Sequence, residues 1–193
     1  MDLIQQLRDR TGLGMMDCKK ALTEADGDID KAIELLRKRG AAIASKRSGN
    51  TTAEGLVHAY IHPGSRVGVL LEVNCETDFV ASTDNIKQFA ADVCLHIAAM
   101  KPLFVNPEDV DAATIAKEKE IFTAQMANSG KPEKIIEQIV QGKINKFLSE
   151  ICLMQQPYIK NDKLTIDEYL KETIAKLGEN IKIRRFARFE IGS

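Results

Sequence analysis

Hydrophobic positions repeat with helical period over the first 45 or so residues and then switch to the period of a strand. Leu3, Ile4 and Leu7 make a short helical stripe that Thr11-Gly12-Leu13-Gly14 ends with two residues tolerant of positive φ. Met15 to Ala25 resumes the helical pattern until Asp26-Gly27-Asp28 breaks it. Asp28 is then the N-cap of a third helix, whose Ile29, Ala32, Ile33 and Leu36 recur at i, i+3, i+4 and i+7. Three such helices can bury one small shared core. Gly40 is the expected stop, with Ala41 to Lys46 as a linking helix and Ser48-Gly49-Asn50-Thr51-Thr52 in a linker. The organisation predicted is a helical head over residues 1–45, a linker over 46–54 and a larger body over 55–193.

The body opens with alternation. Val67, Val69, Leu71 and Val73 share one face of a strand, Leu56 to Ile61 forms a second, and His62-Pro63-Gly64-Ser65 has hairpin-turn chemistry. A third strand is expected from Asn180 to Ile191, with Ile181, Ile183, Phe189 and Ile191 on one face and Arg185 as its awkward member. Between these lie helices. Ile86, Phe89, Ala90, Val93 and Ile97 mark one, and Asn106-Pro107-Glu108-Asp109 opens the next region. Ile115, Phe122 and Met126 face Ile135, Ile136, Ile139, Val140, Phe147, Leu148 and Ile151 across a tight reversal at Asn128-Ser129-Gly130-Lys131-Pro132. That is a helical hairpin over residues 111–151 with arms on the order of 25 Å. Thr165-Ile166-Asp167-Glu168 is a capping box for a helix ending at Gly178. The fold class is α+β: a three-helix head, a small antiparallel sheet packed with helices, and a helical hairpin.

Composition narrows the function. The 193 residues, 44% of them hydrophobic, can bury a sizeable core, and with 5% aromatics and no Trp that core must be aliphatic. Twenty-seven basic and 28 acidic side chains leave a net charge of -1, which argues against affinity built on phosphate neutralisation. No apolar run nears the roughly 18 residues needed to span a bilayer. The amino terminus enters a helical pattern at Asp2-Leu3-Ile4, unlike a targeting peptide. Cys18, Cys75, Cys94 and Cys152 form no Cys-x-x-Cys pair and read as reduced, packed thiols of a cytosolic protein.

A search for catalysis is negative. Gly12-Leu13-Gly14 lacks the Gly-Lys-Ser/Thr of a phosphate loop and follows no strand. His58 and His62 would lie about 13 Å apart on a strand, too far to share a metal. Cys94 and His96 are neighbours at i and i+2 on a helix and do not face each other.

Two clusters remain. In Arg10-Thr11-Gly12-Leu13-Gly14-Met15-Met16-Asp17-Cys18-Lys19-Lys20, adjacent methionines cannot both enter a three-helix core, so one or both can form a soft contact patch. In Asn74-Cys75-Glu76-Thr77-Asp78-Phe79-Val80-Ala81, an unbroken helix from Asp78 would put Phe79 in phase with Ile86, as core. A break at Ser82-Thr83-Asp84 would instead leave the ring on a connection, free to enter a partner.

Thr11 to Leu22 and Glu72 to Val80 closely resemble the two hallmark motifs of the elongation factor Ts family, and His96-Ile97-Ala98-Ala99 and Arg184-Arg185-Phe186-Ala187-Arg188-Phe189-Glu190 match it further along. The resemblance spans essentially the whole chain. It implies a head like ubiquitin-associated domains and a body that binds elongation factor Tu. The activity implied is guanine-nucleotide exchange without bond chemistry and without a cofactor, in the bacterial cytoplasm. Thr77, Asp78, Phe79 and Val80 would dislodge Mg²⁺ from Tu. Gly12, Met15, Met16 and Lys19 would dock the head, and His96 would face Tu from the body surface. With one set of strands the chain resembles the short, single-core type, which implies a homodimer and a 2:2 complex with Tu. The alternative is a ubiquitin-associated-type binding module on a scaffold core. A basic strand through Lys182, Arg184, Arg185 and Arg188 could otherwise contact RNA, but it lacks interleaved tyrosines.

Overall fold

The computed structural model describes residues 2–126 and 129–192. The chain is α+β. Three helices come first: α1 (Leu3–Thr11), α2 (Met15–Glu24) and α3 (Ile29–Arg47). The strands β1 (Glu54–Ile61) and β2 (Val67–Cys75) follow, then the one-turn α4 (Asp78–Ala81) and the long α5 (Asp84–Met100). Helices α6 (Ala112–Met126) and α7 (Glu133–Ile151) make the expected hairpin. Ala127 and Asn128 fall outside the described residues, Asn128 being part of the expected reversal. A small ribbon of β3 (Pro157–Tyr158) and β4 (Asn161–Thr165), the helix α8 (Ile166–Leu177) and the strand β5 (Ile181–Glu190) complete the fold.

The caps explain the helix starts. Asp2 accepts from the Ile4 amide, Asp28 from those of Asp30 and Lys31, and Thr165 and Glu168 form a reciprocal capping box. The head closes around Leu7, Cys18, Ala21, Leu22, Ala25, Ala32 and Leu36.

Gly40 does not stop α3. The helix runs straight through it to Arg47, across the expected boundary between head and linker. A Cβ at Gly40 would stand 3.1 Å from the Ala175 Cβ of α8, so the glycine lets the two helices close on each other. Gly is tolerated there because the packing it permits outweighs its helix-propensity cost of about 1 kcal/mol. The second half of α3 thus belongs to the body, and Ala44 is buried in the main core.

The sheet is antiparallel in the order β1-β2-β5. Val69, Leu71, Val73 and Cys75 of the central strand point inward onto α5 and α8, beside Ile86, Phe89, Val93, Ile97, Ile166 and Ile174. In β5 the register slips opposite Glu72 and Val73, so that Glu72 faces Arg185 while Val73 faces Ile183, and Arg184 bulges out. The bulge corrects the expected face: Ile181 and Ile183 are buried, but beyond it Phe186 and Arg188 turn inward and Arg185, Ala187 and Phe189 turn out. Arg185 is not awkward after all, since its Nε donates to Glu72 at 2.6 Å. Arg188 donates to the Ala98 carbonyl, which breaks up the expected basic face.

His96 is also corrected. It does not reach the surface but is fully buried, against the expectation that it faces a partner. Its Nδ1 accepts the Ile159 amide at 3.3 Å, which assigns the proton to Nε2, 2.9 Å from the Gln156 Oε1. Nearby, Asp92 accepts from Lys160 Nζ at 2.6 Å, Gln88 at 2.8 Å and the Tyr169 hydroxyl at 2.9 Å, beneath a stacked Tyr158–Tyr169 pair. Burial pushes the Asp92 carboxyl up, but these donors outweigh it and hold it below its usual range. This network ties the β3–β4 ribbon to α5 and α8.

Three outcomes follow from this fold. Gly40→Leu should cost about 1–3 kcal/mol in urea unfolding by wedging α3 from α8. Gly142→Ala, in an α7 position with nothing within 4 Å, should gain about 0.5–1 kcal/mol. The third concerns pH. Burial lowers the His96 pKa below its ordinary 6.5, only partly opposed by Gln156. The unfolded chain therefore binds the proton first, and unfolding free energy should fall as pH descends from 6.5 toward 5. His96→Gln should flatten that slope in denaturation curves taken across the same window.

Candidate partner-binding site

The end of β2 is tied down by charge and hydrogen bonds. The Glu76 carboxylate accepts from the Asn180 amide at 2.6 Å, Asn50 Nδ2 at 3.0 Å and Arg47 Nη1 at 3.2 Å. The Asn180 amide first, then Asn50 and Arg47, hold its carboxyl below the usual range against a smaller effect of burial. One residue on, Thr77 donates its amide and its hydroxyl to Glu179 at 3.1 and 2.7 Å. The Cys75 thiol donates to the Thr77 carbonyl at 3.1 Å. Burial, then the charges of Glu179 and Glu54, raise its pKa, so this sulfur stays protonated and unreactive.

From this anchor the chain makes a single helical turn. Thr77 caps α4 by accepting the Val80 amide at 3.3 Å, and Thr83 caps α5 by accepting the Ile86 amide at 3.5 Å. Two caps six residues apart are incompatible with one continuous helix, so Phe79 loses its phase with Ile86. Val80 is buried and pins the turn to the main core. Phe79 points the other way and is 78% exposed. A ring held so far into water offers about 1.5–3 kcal/mol of transfer free energy to whatever covers it. Asp78 beside it is exposed, and its carboxylate accepts no hydrogen bond among the described residues.

The second cluster lies on the head. Gly12 takes φ 67° to close α1, and Gly14 is the N-cap of α2. Cys18, Ala21 and Leu22 fill the inner face of that helix, which leaves Met15 and Met16 outside at 57% and 63% exposure, with Lys19 beside them. The head is not loosely tethered. A Cβ on Gly12 would stand 3.1 Å from Lys176 Nζ, and Arg37 donates to Glu172 at 3.1 Å.

Thr77, Asp78, Phe79 and Val80 thus form one presented turn, and Gly12, Met15, Met16 and Lys19 one corner of the head. Helix α3 connects the two, packing in the head at one end and offering Arg47 to Glu76 at the other. His96 lies in neither surface. Glu76 stood inside a motif that drew notice for its neighbours, whereas Glu179 had no local signal, because its partner is 102 positions away. Among the described residues no cluster of three or more His, Cys, Asp or Glu is placed to hold a metal ion, and no helix is long and apolar enough to cross a membrane.

Comparison with known proteins gives a consistent result. The family described as Elongation factor TS matches residues 14–193. The chain is 56% identical to elongation factor Ts of Carboxydothermus hydrogenoformans over 190 residues, covering 98% of this chain and 88% of that protein. It is 57% identical to the protein of that name in Alkaliphilus oremlandii, with the same coverage, and 54% identical to that of Desulfosudis oleivorans, 96% of which it spans. With residues 14–193 inside the family match and 98% of the chain inside each of these relatives' matches, the chain belongs to the elongation factor Ts family.

Proposed function

We propose that this translation elongation factor is a guanine-nucleotide exchange factor for elongation factor Tu in the cytoplasm. It binds Tu·GDP, dislodges Mg²⁺, promotes GDP release and stays on nucleotide-free Tu until GTP enters. The observation that carries this reading is Phe79, a large apolar ring held almost wholly in water on a turn whose base is anchored on both sides.

Exchange of this kind needs no bond chemistry. The factor must bind nucleotide-free Tu more tightly than Tu·GDP, and by linkage GDP then weakens its binding by the same factor. Mg²⁺ and backbone amides hold the phosphates of a bound nucleotide, so a wedge that shifts those elements removes several interactions together. Phe79 is the wedge. Asp78 bonds at its rim, while Thr77 and Val80 hold the turn from its capped and buried sides. Met15 and Met16 supply an adaptable apolar contact on the head, with Gly12 giving the backbone its turn and Lys19 a charge at the margin. His96 acts from inside, by fixing the ribbon that carries the exposed Ile159.

The factor works as a homodimer in a 2:2 complex with Tu. The outer face of the sheet is the surface for it. Its rows read Ala59-Leu70-Ala187 and Ile61-Gly68-Phe189, bordered by the Glu72–Arg185 ion pair. Ile61 and Phe189 are 64% and 68% exposed. A second copy of this chain is the occupant, because an apolar face related by a two-fold axis meets its own rows.

Stopped-flow release of a fluorescent GDP from Tu tests the wedge. Catalytic amounts of the protein should speed release. Phe79→Ala should slow it severalfold or more while leaving stability within about 0.5 kcal/mol, and Asp78→Ala should do less, in line with the roughly 0.5–1.5 kcal/mol of one hydrogen bond. Full activity in Phe79→Ala would end the wedge assignment. For the dimer, sedimentation equilibrium at micromolar concentration should give twice 21.4 kDa, and Phe189→Asp should return it to the single mass.

A further inference from the structure

We propose that Glu179 is a positioning residue for exchange, forming with Glu76 a reciprocal clamp that sets the angle at which Phe79 leaves the body. The inference rests on the exchange reading above. Its basis is a crossed pair of side-chain-to-backbone bonds: the side chain of residue 76 reaches the amide of 180, and the side chain of 179 reaches the amide of 77. Two adjacent residues at the end of β2 are thereby locked to two adjacent residues at the start of β5.

Sheet stability does not require this clamp. Antiparallel pairing already joins Cys75 to Ile181, so the strands are in register before either carboxylate is added. What remains unset is the direction of the chain beyond Cys75, and there Thr77 has two tasks. Its hydroxyl donates to Glu179 at 2.7 Å and accepts the Val80 amide at 3.3 Å. Glu179 fixes where the hydroxyl proton points, which leaves the oxygen lone pairs for the cap of α4. Without Glu179 that hydroxyl can rotate, the cap weakens, and the turn bearing Phe79 can tilt. Gly178 makes this geometry reachable: its φ of 73° ends α8 and turns Glu179 toward Thr77. On the other side, Arg47 and Asn50 complete the Glu76 shell, so the end of α3 braces the same turn.

A clamp of this kind governs how well a docked wedge displaces its target, not how well the head docks. The test is stopped-flow GDP release from Tu across a concentration series of wild type, Glu179→Ala and Glu179→Gln, with melting temperatures taken on the same samples. Glu179→Ala should lower the release rate at saturation roughly three- to tenfold, with the half-saturating concentration moving less than about twofold. Glu179→Gln should recover only part of the rate, because its oxygen can still accept the Thr77 amide while its amino group can donate to the hydroxyl oxygen but no longer takes the hydroxyl proton. An unchanged saturating rate in Glu179→Ala, or a loss confined to half-saturation, would overturn the proposal. Should wild type itself fail to release GDP, the exchange reading has failed. Amide hydrogen exchange then decides the clamp separately: faster exchange at Val80 in Glu179→Ala supports it, and unchanged protection removes it.

Discussion

Strand β2 has no free side except its outward face. Its two backbone edges are consumed by β1 and β5, and its inner row of Val69, Leu71, Val73 and Cys75 is covered by α5 and α8. Because the row is aliphatic and inward, a slip of one residue would turn the whole set to water, which makes its register the most firmly specified feature of the fold. The turn that carries Phe79 starts where this strand stops. Whatever rigidity Phe79 has is inherited from a strand that cannot slide, through two carboxylates that join its end to β5.

Much of this was legible because local chemistry and tertiary packing agree. The alternation in Val67 to Val73, the capping box at Thr165 and the hairpin helices all appear where pattern places them. The failures share a different cause. Gly40 carries the signature of a helix end, but a close approach by Ala175 recruits it into a helix interior, and nothing in the local sequence reports that contact. The bulge at Arg184 inverts the faces of β5 halfway along, so a period-2 reading correct for Ile181 and Ile183 is wrong for Phe189. His96 shows that a polar residue on a largely apolar helix can be satisfied inside, by Gln156 and the Ile159 amide. Phe79 was ambiguous for a sound reason: its exposure depends on whether the helix breaks at Thr83, and only the two observed caps decide that.

The two exposed clusters differ in kind. Met15 and Met16 are flexible side chains on a helix start, suited to adjusting to a partner, while Phe79 is stiff and its backbone is tied. Helix α3 joins them, packed in the head at its first turns, against α8 at Gly40, and against Glu76 at Arg47. One continuous helix therefore runs from the soft cluster to the anchor of the stiff one.

The crossed bonds between residues 76–77 and 179–180 also have a consequence for synthesis. Their partners are separated by 102 and 104 positions, so the two halves leave the ribosome far apart in time. Head helices made of local contacts can form early, as nascent domains do, whereas the central strand waits for its second neighbour. Until β5 emerges, the Thr77 hydroxyl has no Glu179 to orient it and the Glu76 carboxylate has no Asn180 amide to hold. A nascent chain would therefore carry the apolar ring without the brace that aims it. The brace of this turn is therefore the last part of the fold to be completed as the chain is made.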